Sequence, residues 1–386
     1  MGRILIGWEF GANRGHALRL ARLARLLRDA GHEVGLAIQR IDDLTPEEAH
    51  GAAIWQAPVT PRMLSHVARP RTPTPATLGD ILARLGGDDP RLVAAIIRAW
   101  RTIFAAVRPA LVIADYAPFL LLAARGRFPV LHQGTPFQTP PPHLASFPAI
   151  AGGTPAADEA ATLRAVNEGL GSESVESLPG IFAADRTLTD SFAELDPYAE
   201  ARSEPLLLPV PADFRAAAGA GEEVFVYAPE NSAADAPLWR GLAQSGLPIR
   251  VHVPRAAAPL REAIAALRLA FEAEPVPFAE IARRSRLVVS HGGHGFACAA
   301  LAAGLANIIC YPDLEKRFYG LALARHGLGG HVAMAGIEPA AFGASLKRIH
   351  ADEALAARAR AAGPAFLARG QKPFDEALME AVAELM

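Results

Sequence analysis

Length, composition and charge narrow the class of protein before any motif is considered. The chain has 386 residues, of which 51% are hydrophobic, and its formal net charge is −2. That length favours two domains with sizeable cores. A net charge near zero argues against nucleic acid as a partner. No apolar run reaches the ~18 residues that a membrane-spanning helix needs.

The N-terminus and the cysteines favour a cytoplasmic protein. MGRILIGWEF (1–10) lacks the long apolar region and the small-residue cleavage site of a signal peptide, so we interpret it as a buried first strand. Cys298 and Cys310 are the two cysteines of the chain. Two are too few for a disulfide framework, and a reducing cytosol is the simplest interpretation.

The first half of the chain alternates apolar strands with an amphipathic helix. RILIGW (3–8) predicts a strand and FGANRGH (10–16) a glycine-containing loop. Leucines at helical spacing then predict a helix over 17–31, and HEVGLAI (32–38) predicts a second strand. This order is a βαβ unit, which implies a parallel sheet. A further helix and two strands are predicted at 90–107, 110–116 and 129–137.

A proline-punctuated stretch, SEPLLLPVPADF (203–214), predicts a domain boundary, and the same alternation resumes after it. Strands are predicted at 223–228, 248–254, 286–290 and 306–312, and helices at 259–270, 297–304 and 373–386. We therefore predict an α/β fold of two doubly wound, Rossmann-like domains facing a cleft. Ligands of such sheets bind at the carboxyl ends of the strands.

The stretch SHGGHGF (290–296) follows a predicted strand and opens a predicted helix. Its three glycines allow a ligand to approach the backbone closely, and the first N–H groups of the helix favour an anion. The stretch is typical of a phosphate-binding loop, although a tight strand-to-helix turn has the same local pattern. His291 and His294 are spaced for one helix face, but no third ligand accompanies them, so we predict no metal site.

The longer stretch RLVVSHGGHGFACAALAAGLANIICYPDLEK (286–316) resembles the donor-binding signature of GT-B nucleotide-sugar glycosyltransferases. The most similar family contains the UDP-glucuronosyltransferases, plant natural-product glucosyltransferases and bacterial macrolide glycosyltransferases. The resemblance implies a GT-B fold with an acceptor-binding domain over 1–204 and a donor-binding domain over 205–370. It also implies that a C-terminal helix, 371–386, packs back on the first domain.

The resemblance assigns roles at the donor site residue by residue. His291 matches the histidine that contacts the donor diphosphate, and Gly292, Gly293 and Gly295 match the loop glycines. Glu315 matches the acidic residue that accepts hydrogen bonds from sugar hydroxyls, a task suited to a carboxylate because it offers several acceptor sites.

The resemblance also bears on five further positions, of which four depart from the family pattern. Val276 matches, to within a couple of residues, the position whose backbone contacts the donor base. Phe296 replaces the usual hydroxyl residue, and Ala299 replaces the glutamate that binds ribose, which favours a dTDP donor over a UDP donor. His294 replaces a small residue and is expected to add a donor to the phosphates. Lys316 replaces a glutamine and is expected to meet a diphosphate or an acidic sugar.

The N-terminal half supplies the predicted chemistry. Residues 3–27 resemble the strand, loop and GHxxPxxxLAxxL motif of the family, in which the histidine is the general base. The resemblance assigns that role to His16 and assigns its orientation to Asp115, which ends a predicted strand. Taken singly, each residue is also explained as a helix or turn cap. GTPFQTPPPHL (134–144) lies where the family builds its acceptor pocket.

The implied function is inverting, metal-independent transfer of a sugar from a dTDP or UDP sugar to a hydroxyl of a small-molecule or lipid-like acceptor. No cofactor is expected beside the donor substrate. A degenerate, non-catalytic GT-B protein that binds nucleotide sugar or partners an active transferase is the alternative. A GT-B epimerase is a third interpretation, which requires extra cleft carboxylates at positions that the sequence does not identify.

Two charged features of the N-terminal half are interpreted as solvated. Glu9 follows the first predicted strand and is expected to be an exposed loop charge, with an acceptor contact as the alternative. Arg19, Arg22, Arg25 and Arg28 recur along the first helix and predict a solvated face. Peripheral contact with an anionic membrane is the alternative for this helix.

Overall fold

The computed structural model describes residues 2–11, 14–66, 74–215, 221–234 and 236–386. Two residues of the predicted loop at 10–16, Ala12 and Asn13, lie outside these ranges. Apart from these gaps, the chain forms two compact units. The first unit comprises Met1–Asp190, Asp196–Leu207 and Phe374–Met386, and the second comprises Ser191–Leu195 and Leu208–Pro373.

The first unit is built on a parallel sheet of six strands in the order β3-β2-β1-β4-β5-β6. Its strands are β1 (Arg3–Trp8), β2 (Glu33–Ile38), β3 (Ala53–Gln56), β4 (Leu111–Asp115), β5 (Val130–Gly134) and β6 (Arg186–Thr189). β1, β4 and β5 are almost entirely buried, as expected for strands covered by helices on both faces.

Helices that precede, connect and follow these strands cover the sheet. They are α1 (Gly15–Asp29), α2 (Pro61–His66), α3 (Leu78–Leu82), α4 (Pro90–Val107), α5 (Pro118–Ala124), α6 (Glu159–Leu170) and α14 (Phe374–Leu385). α1 begins two residues before the predicted start and buries an apolar stripe that includes Leu20, Leu23 and Leu27. Phe374 and Leu378 of α14 belong to the same hydrophobic cluster, so the C-terminal helix is part of this unit.

The second unit repeats the design with a parallel sheet in the order β12-β11-β10-β7-β8-β9. Its strands are β7 (Glu223–Tyr227), β8 (Ile249–His252), β9 (Ala270–Glu272), β10 (Ser285–Ser290), β11 (Ala306–Tyr311) and β12 (Gly329–Ala333). Its helices are α7 (Pro237–Gln244), α8 (Ala258–Ala266), α9 (Phe278–Arg284), α10 (His294–Ala302), α11 (Leu314–Arg325), α12 (Pro339–His350) and α13 (Glu353–Leu367).

Both sheets have the strand order of the doubly wound nucleotide-binding fold, which confirms the predicted α/β class of two Rossmann-like domains. In each sheet the order reverses between two central strands, β1 and β4 in the first unit and β7 and β10 in the second. Connections leave such a switch point in opposite directions, which opens a crevice at the carboxyl ends of the strands. None of the helices described has the length and apolar character needed to cross a membrane.

Candidate functional site

The switch point of the first unit holds the histidine and aspartate selected from the sequence. β1 pairs with β4 so that Trp8 lies opposite Asp115, and α1 begins at Gly15 beside them. The Nδ1 atom of His16 lies 2.7 Å from Oδ2 of Asp115. The Asp115 side chain is 1% exposed and the His16 side chain 17% exposed, so the carboxylate is buried while the imidazole reaches the surface.

This pairing sets what the imidazole can do. When Nδ1–H donates to Asp115, the lone pair of the neutral ring lies on Nε2, which can accept a proton. The buried carboxylate then stabilises the imidazolium that forms. The Trp8 ring stacks on His16 with centroids 5.0 Å apart, which fixes the plane of the imidazole. Gly11, with φ +102°, passes so close that a Cβ there would lie 2.7 Å from Nε2.

Aromatic side chains surround this pair. Tyr116 follows Asp115 in the left-handed region at φ 45°, a strained conformation of the kind that clusters at functional sites. Its carbonyl accepts a hydrogen bond from the Phe10 amide at 3.0 Å, which joins the loop after β1 to the loop after β4. The Tyr116 ring also contacts Phe10, His16 and Phe137, the last of which lies in the loop predicted to form the acceptor pocket.

Arg19 is part of this site, contrary to the predicted solvated face. One helical turn after His16, its Nε donates to Gln133 Oε1 at 2.8 Å and its terminal nitrogens bind both oxygens of Asp190 at 2.6 and 3.1 Å. The guanidinium also lies over the Phe374 ring at 4.8 Å. Two fixed anchors therefore hold the first turn of α1 at the ends of β5 and β6.

The other arginines of α1 differ in their surroundings. Arg22, Arg25 and Arg28 are exposed, and Arg22 also forms an ion pair with Asp375. Arg19, held by Asp190, is the member of the set that departs from the predicted face. The predicted solvated face is therefore correct for only part of the helix.

Glu9 is buried, so the prediction of an exposed loop charge is wrong. The residue has no exposed surface, and its carboxylate accepts hydrogen bonds from Trp100 Nε1 and, at 2.9 Å, from the Phe119 amide. Burial raises the pKa of Glu9 to about 8 in spite of these two donors. Its contacts fasten the end of β1 to α4 and α5, and they leave no route to an acceptor.

The switch point of the second unit holds the predicted phosphate loop. β10 ends at Ser290, α10 begins at His294, and the loop glycines lie between and just after them. Gly292 has φ +87°, and a Cβ there would lie 2.7 Å from Ile309 Cγ2 and 2.9 Å from Lys316 Cγ. The Ser290 hydroxyl accepts a hydrogen bond from the Gly292 amide at 3.2 Å. Glycine is thus required at 292 by conformation and by space.

The start of α10 offers backbone donors. Gly293 is its N-cap without a side-chain hydrogen bond, and no acidic residue occupies the first turn. The first N–H groups of any α-helix lack intrahelical partners and carry the positive end of the helix dipole. Together with the close approach permitted by the glycines, this arrangement fits a diphosphate.

His291 is buried beside that loop and uncharged at neutral pH. Burial, and then the nearby Lys316 charge, lower its pKa to about 4. Its Nδ1 atom has no hydrogen-bond partner among the described residues. A buried nitrogen without a partner is costly, and a ligand oxygen would satisfy it if the ring carries its proton there.

Glu315 and Lys316 form the first turn of α11, after β11. Lys316 Nζ pairs with one oxygen of Glu315, and the Tyr319 hydroxyl donates to the other at 2.7 Å. Burial raises the pKa of the Glu315 carboxyl, but Lys316 and Tyr319 more than offset it and hold the pKa below its ordinary value. The carboxylate is therefore ionised and oriented.

Val276 and Phe296 lie in an apolar part of the same unit. Both are half-buried and pack against one hydrophobic cluster together with Tyr227 and Phe278. The Phe296 ring stacks on Tyr227 with centroids 5.0 Å apart and meets Phe278 edge-on at 5.5 Å. Tyr227 in turn lies 5.6 Å from the His291 ring. At position 296 the chain therefore has a half-exposed aromatic ring where the resemblance leads us to expect the hydroxyl of a Ser or Thr.

The His294 side chain, which was expected to add a donor to the phosphates, instead contacts Ser191 and Cys298. Its Nε2 lies 3.0 Å from the Ser191 hydroxyl and 3.4 Å from Cys298 Sγ. The residue is only 8% exposed. The imidazole is therefore committed to protein atoms. Among the described residues, no group of three or more His, Cys, Asp or Glu side chains is arranged to hold a metal ion.

Several residues at these sites were not selected from the sequence. Arg19 had a usable signal, because it lies three residues after His16 and therefore on the same side of the helix. Ser191 and Asp190 had none, because they lie more than 100 residues from the side chains they bind. Tyr319 lies one helical turn after Glu315, a spacing that predicts contact once α11 is assigned.

Comparison with known proteins identifies the fold. No protein-family model matches the sequence, and no curated protein sequence does. Solved structures match over the whole chain. The spinosyn rhamnosyltransferase SpnG aligns with a TM-score of 0.66 at 18% identity, covering 99% of this chain and 100% of that one. The calicheamicin glycosyltransferase CalG4 aligns with a TM-score of 0.68 at 20% identity, covering 100% and 98%.

A third structure carries a nucleotide. The glycosyltransferase VinC in complex with dTDP aligns with a TM-score of 0.62 at 16% identity, covering 99% of this chain and 98% of that one. SpnG has also been solved with thymidine diphosphate and with spinosyn aglycone. The chain has the GT-B fold of these glycosyltransferases. At such low identity the likeness establishes the fold, and the activity has to be argued from the site.

Proposed function

We propose that this protein is an inverting glycosyltransferase that moves a sugar from a nucleotide diphosphate sugar to a hydroxyl group, without a metal ion or a resident cofactor. The observation that carries the proposal is the His16–Asp115 pair, 2.7 Å apart, at the switch point of the first sheet. A base with an oriented, buried carboxylate partner is the arrangement that activates a hydroxyl nucleophile.

The proposed reaction takes one step. His16 Nε2 accepts the proton of the acceptor hydroxyl as its oxygen attacks the anomeric carbon from the face opposite the leaving group. The bond between that carbon and the diphosphate oxygen breaks, and the electron pair leaves with the nucleotide diphosphate. Asp115 stabilises the imidazolium. Because attack and departure occur on opposite faces, the anomeric configuration inverts.

Departure of the diphosphate requires stabilisation of its negative charge. The N–H groups at the start of α10 and the unsatisfied nitrogen of His291 are suited to that role, as is the cation of Lys316 near the loop. Glu315 is ionised and held in place, which suits it to accept hydrogen bonds from the donor sugar. Val276 is assigned to the donor base through its backbone.

The donor is proposed to be a dTDP sugar rather than a UDP sugar. Ala299 offers no carboxylate to a ribose 2′-hydroxyl, and Phe296 places a ring where the family has a hydroxyl. Both changes favour a less polar nucleoside end, and deoxyribose and thymine together have one hydroxyl fewer and one methyl more than ribose and uracil. The structures of VinC with dTDP and SpnG with thymidine diphosphate support the same class.

The acceptor is proposed to be an apolar molecule that bears a hydroxyl. The Tyr116 ring adjoins His16, and Phe10 and Phe137 pack against Tyr116. These aromatic surroundings favour a hydrophobic or aromatic partner over a free sugar. A structural neighbour, SpnG, has been solved in complex with spinosyn aglycone, which supports a non-sugar acceptor.

Transfer is tested with a dTDP-deoxysugar, 4-methylumbelliferone and a small panel of macrolide aglycones, in buffer that contains EDTA. We expect a glycoside by mass spectrometry and release of dTDP that depends on the acceptor. Release of dTDP that does not need an acceptor would contradict transfer. Binding of dTDP with no release under any condition would favour the non-catalytic alternative, and a changed sugar still attached to dTDP would favour an epimerase.

A further inference from the structure

His294 is the one residue with a functional side chain in the loop 292–295, whose other members are glycines. Its imidazole is buried rather than directed at solvent, with Nε2 3.0 Å from the Ser191 hydroxyl. Glycine loses more conformational freedom on ordering than any other residue. A loop of three glycines therefore needs a contact from elsewhere to hold its backbone N–H groups in one arrangement.

Ser191 is well suited to provide that contact, because its own position is fixed by its neighbours. It is fully buried, and its carbonyl accepts a hydrogen bond from Gln371 Nε2 at 2.8 Å. The short segment Ser191–Leu195 is held further by the Phe192 ring against Phe366, with centroids 4.6 Å apart, and by a two-bond ion pair from Arg369 to Glu194. The partner of His294 is thus tied to the second unit at three further points.

The same imidazole contacts the residue that holds the proposed sugar-binding carboxylate. The His294 ring lies 5.6 Å from the Tyr319 ring, and the Tyr319 hydroxyl donates to Glu315 Oε1 at 2.7 Å. Cys298, one turn further along α10, closes the remaining side with Sγ 3.4 Å from Nε2. The first residue of α10 is therefore in contact with α11 through Tyr319.

We propose that His294 is a positioning residue that fixes the first turn of α10 through Ser191, and so preorganises the backbone donors for the donor diphosphate. This inference rests on the proposed function. It assigns the histidine a role behind the loop, in contact with Ser191 and Tyr319, rather than a direct phosphate contact. Preorganisation of this kind improves both ground-state binding and the stabilisation of developing charge.

The test uses the full-length protein and dTDP as the probe. The variants are His294→Ala, Ser191→Ala, the double variant, and His294→Gln, whose amide reaches about as far as Nε2. Ser345→Ala, a hydroxyl on α12 of the same unit, is the matched control. We expect His294→Ala and Ser191→Ala each to weaken dTDP binding about tenfold, the factor that matches one hydrogen bond of ordinary net strength.

The double variant is expected to bind dTDP no more weakly than His294→Ala alone, because each substitution removes the same His294–Ser191 interaction. His294→Gln is expected to restore most of the loss. Hydrogen exchange of the amides of 292–297 in the ligand-free protein is expected to be faster in His294→Ala, while the melting temperature stays close to that of Ser345→Ala. In transfer assays the donor KM rises and the acceptor KM is unchanged.

Two results separate this inference from the proposed function. If wild type binds dTDP and both single variants bind it as tightly as wild type does, the positioning role of His294 is wrong and the transferase proposal stands. If wild type binds no nucleotide, the transferase proposal is wrong, and hydrogen exchange decides the positioning role by itself. Equal exchange rates in wild type and His294→Ala would then overturn it.

Discussion

The two sheets share one strand order but equip their switch points in different ways. In the first unit the candidate functional groups are side chains, and His16, Asp115 and Arg19 are joined to one another or to strand ends by hydrogen bonds of 2.6–3.1 Å. In the second unit the candidate donors are the backbone N–H groups at the start of α10, and a Cβ at Gly292 or Gly293 would meet neighbouring protein side chains.

This difference predicts different sensitivities. A site made of side chains is lost when one side chain is removed, even if the backbone stays in place. A site made of backbone is insensitive to many side-chain changes but is damaged when the main chain is displaced. Phe296, Ala299 and Lys316 depart from the pattern that the sequence resembles, while Gly292 keeps the positive φ of the proposed phosphate loop.

The largest expected effect comes from the first unit. His16→Ala is expected to lower kcat by about 10²–10⁴-fold, the usual contribution of a general base. Asp115→Asn is expected to lower kcat similarly because it leaves the imidazole without its charged partner. The dTDP affinity of both variants, measured by isothermal titration calorimetry, is expected to equal that of wild type. Normal turnover by His16→Ala would show that another group is the base.

The next effect comes from the backbone of the second unit. Gly292→Ala is expected to destabilise the protein by about 1–3 kcal/mol, because it places a Cβ at positive φ. It is also expected to weaken dTDP binding by roughly tenfold or more, because the loop must shift by a fraction of an ångström. The matched control is Gly295→Ala, where a Cβ has free space and φ is not positive. Equal effects of both substitutions on melting temperature would contradict the geometric argument.

The pH dependence of stability provides a third comparison. Because the folded pKa of His291 lies at about 4, below its ordinary value, the unfolded chain binds a proton first as pH falls below about 6.5. His291 therefore contributes a loss of stability of about 1.4 kcal/mol per pH unit between about pH 6.5 and 4.

His291→Gln is expected to flatten the curve of unfolding free energy against pH in this window. The comparison must be with wild type under the same conditions, since His132 is fully buried with a pKa also near 4 and contributes a similar slope. Superimposable slopes for wild type and His291→Gln in denaturant titrations at pH 5 and 7 would show that His291 is not held neutral.

The smallest expected effect concerns the choice of nucleotide. Ala299→Glu restores a carboxylate at the position that binds ribose in the family, on the half-buried side of α10. We expect the ratio of UDP to dTDP affinity to rise about five- to tenfold, since a carboxylate that accepts from a hydroxyl contributes about 1 kcal/mol or more. A substitution to Gln is the control for size. An unchanged ratio would argue that the ribose lies elsewhere.

The alternation of strands and helices could be predicted from the sequence, but the strands at the edges of the two sheets could not. The central strands β1, β4, β10 and β11 contain the apolar runs ILI, LVIA, LVV and IIC, because helices bury both of their faces. The edge strands β3 and β9 have three to four residues, all half-buried or exposed, and the edge strand β12 is also half-exposed throughout. Such strands carry too little apolar signal to be recognised.

The candidate site shows the same limit. His16 and Asp115 were found because a motif and a strand end mark them, 99 residues apart. The buried state of Glu9 was missed because its partners, Trp100 and Phe119, lie about 100 residues away and no local pattern identifies them. The contact of His294 with Ser191 could not be predicted for the same reason, since its position in the loop indicated only phosphate and Ser191 lies 103 residues away.

In the proposed mechanism one histidine performs the chemistry while a separate backbone loop holds the nucleotide. Calorimetric titration of dTDP into wild type and His16→Ala in EDTA, followed by transfer assays on the same samples, tests both roles together. We expect equal dTDP affinity in the two proteins and loss of transfer in His16→Ala alone. Transfer that survives in His16→Ala, or dTDP binding that disappears with it, would contradict this division of roles.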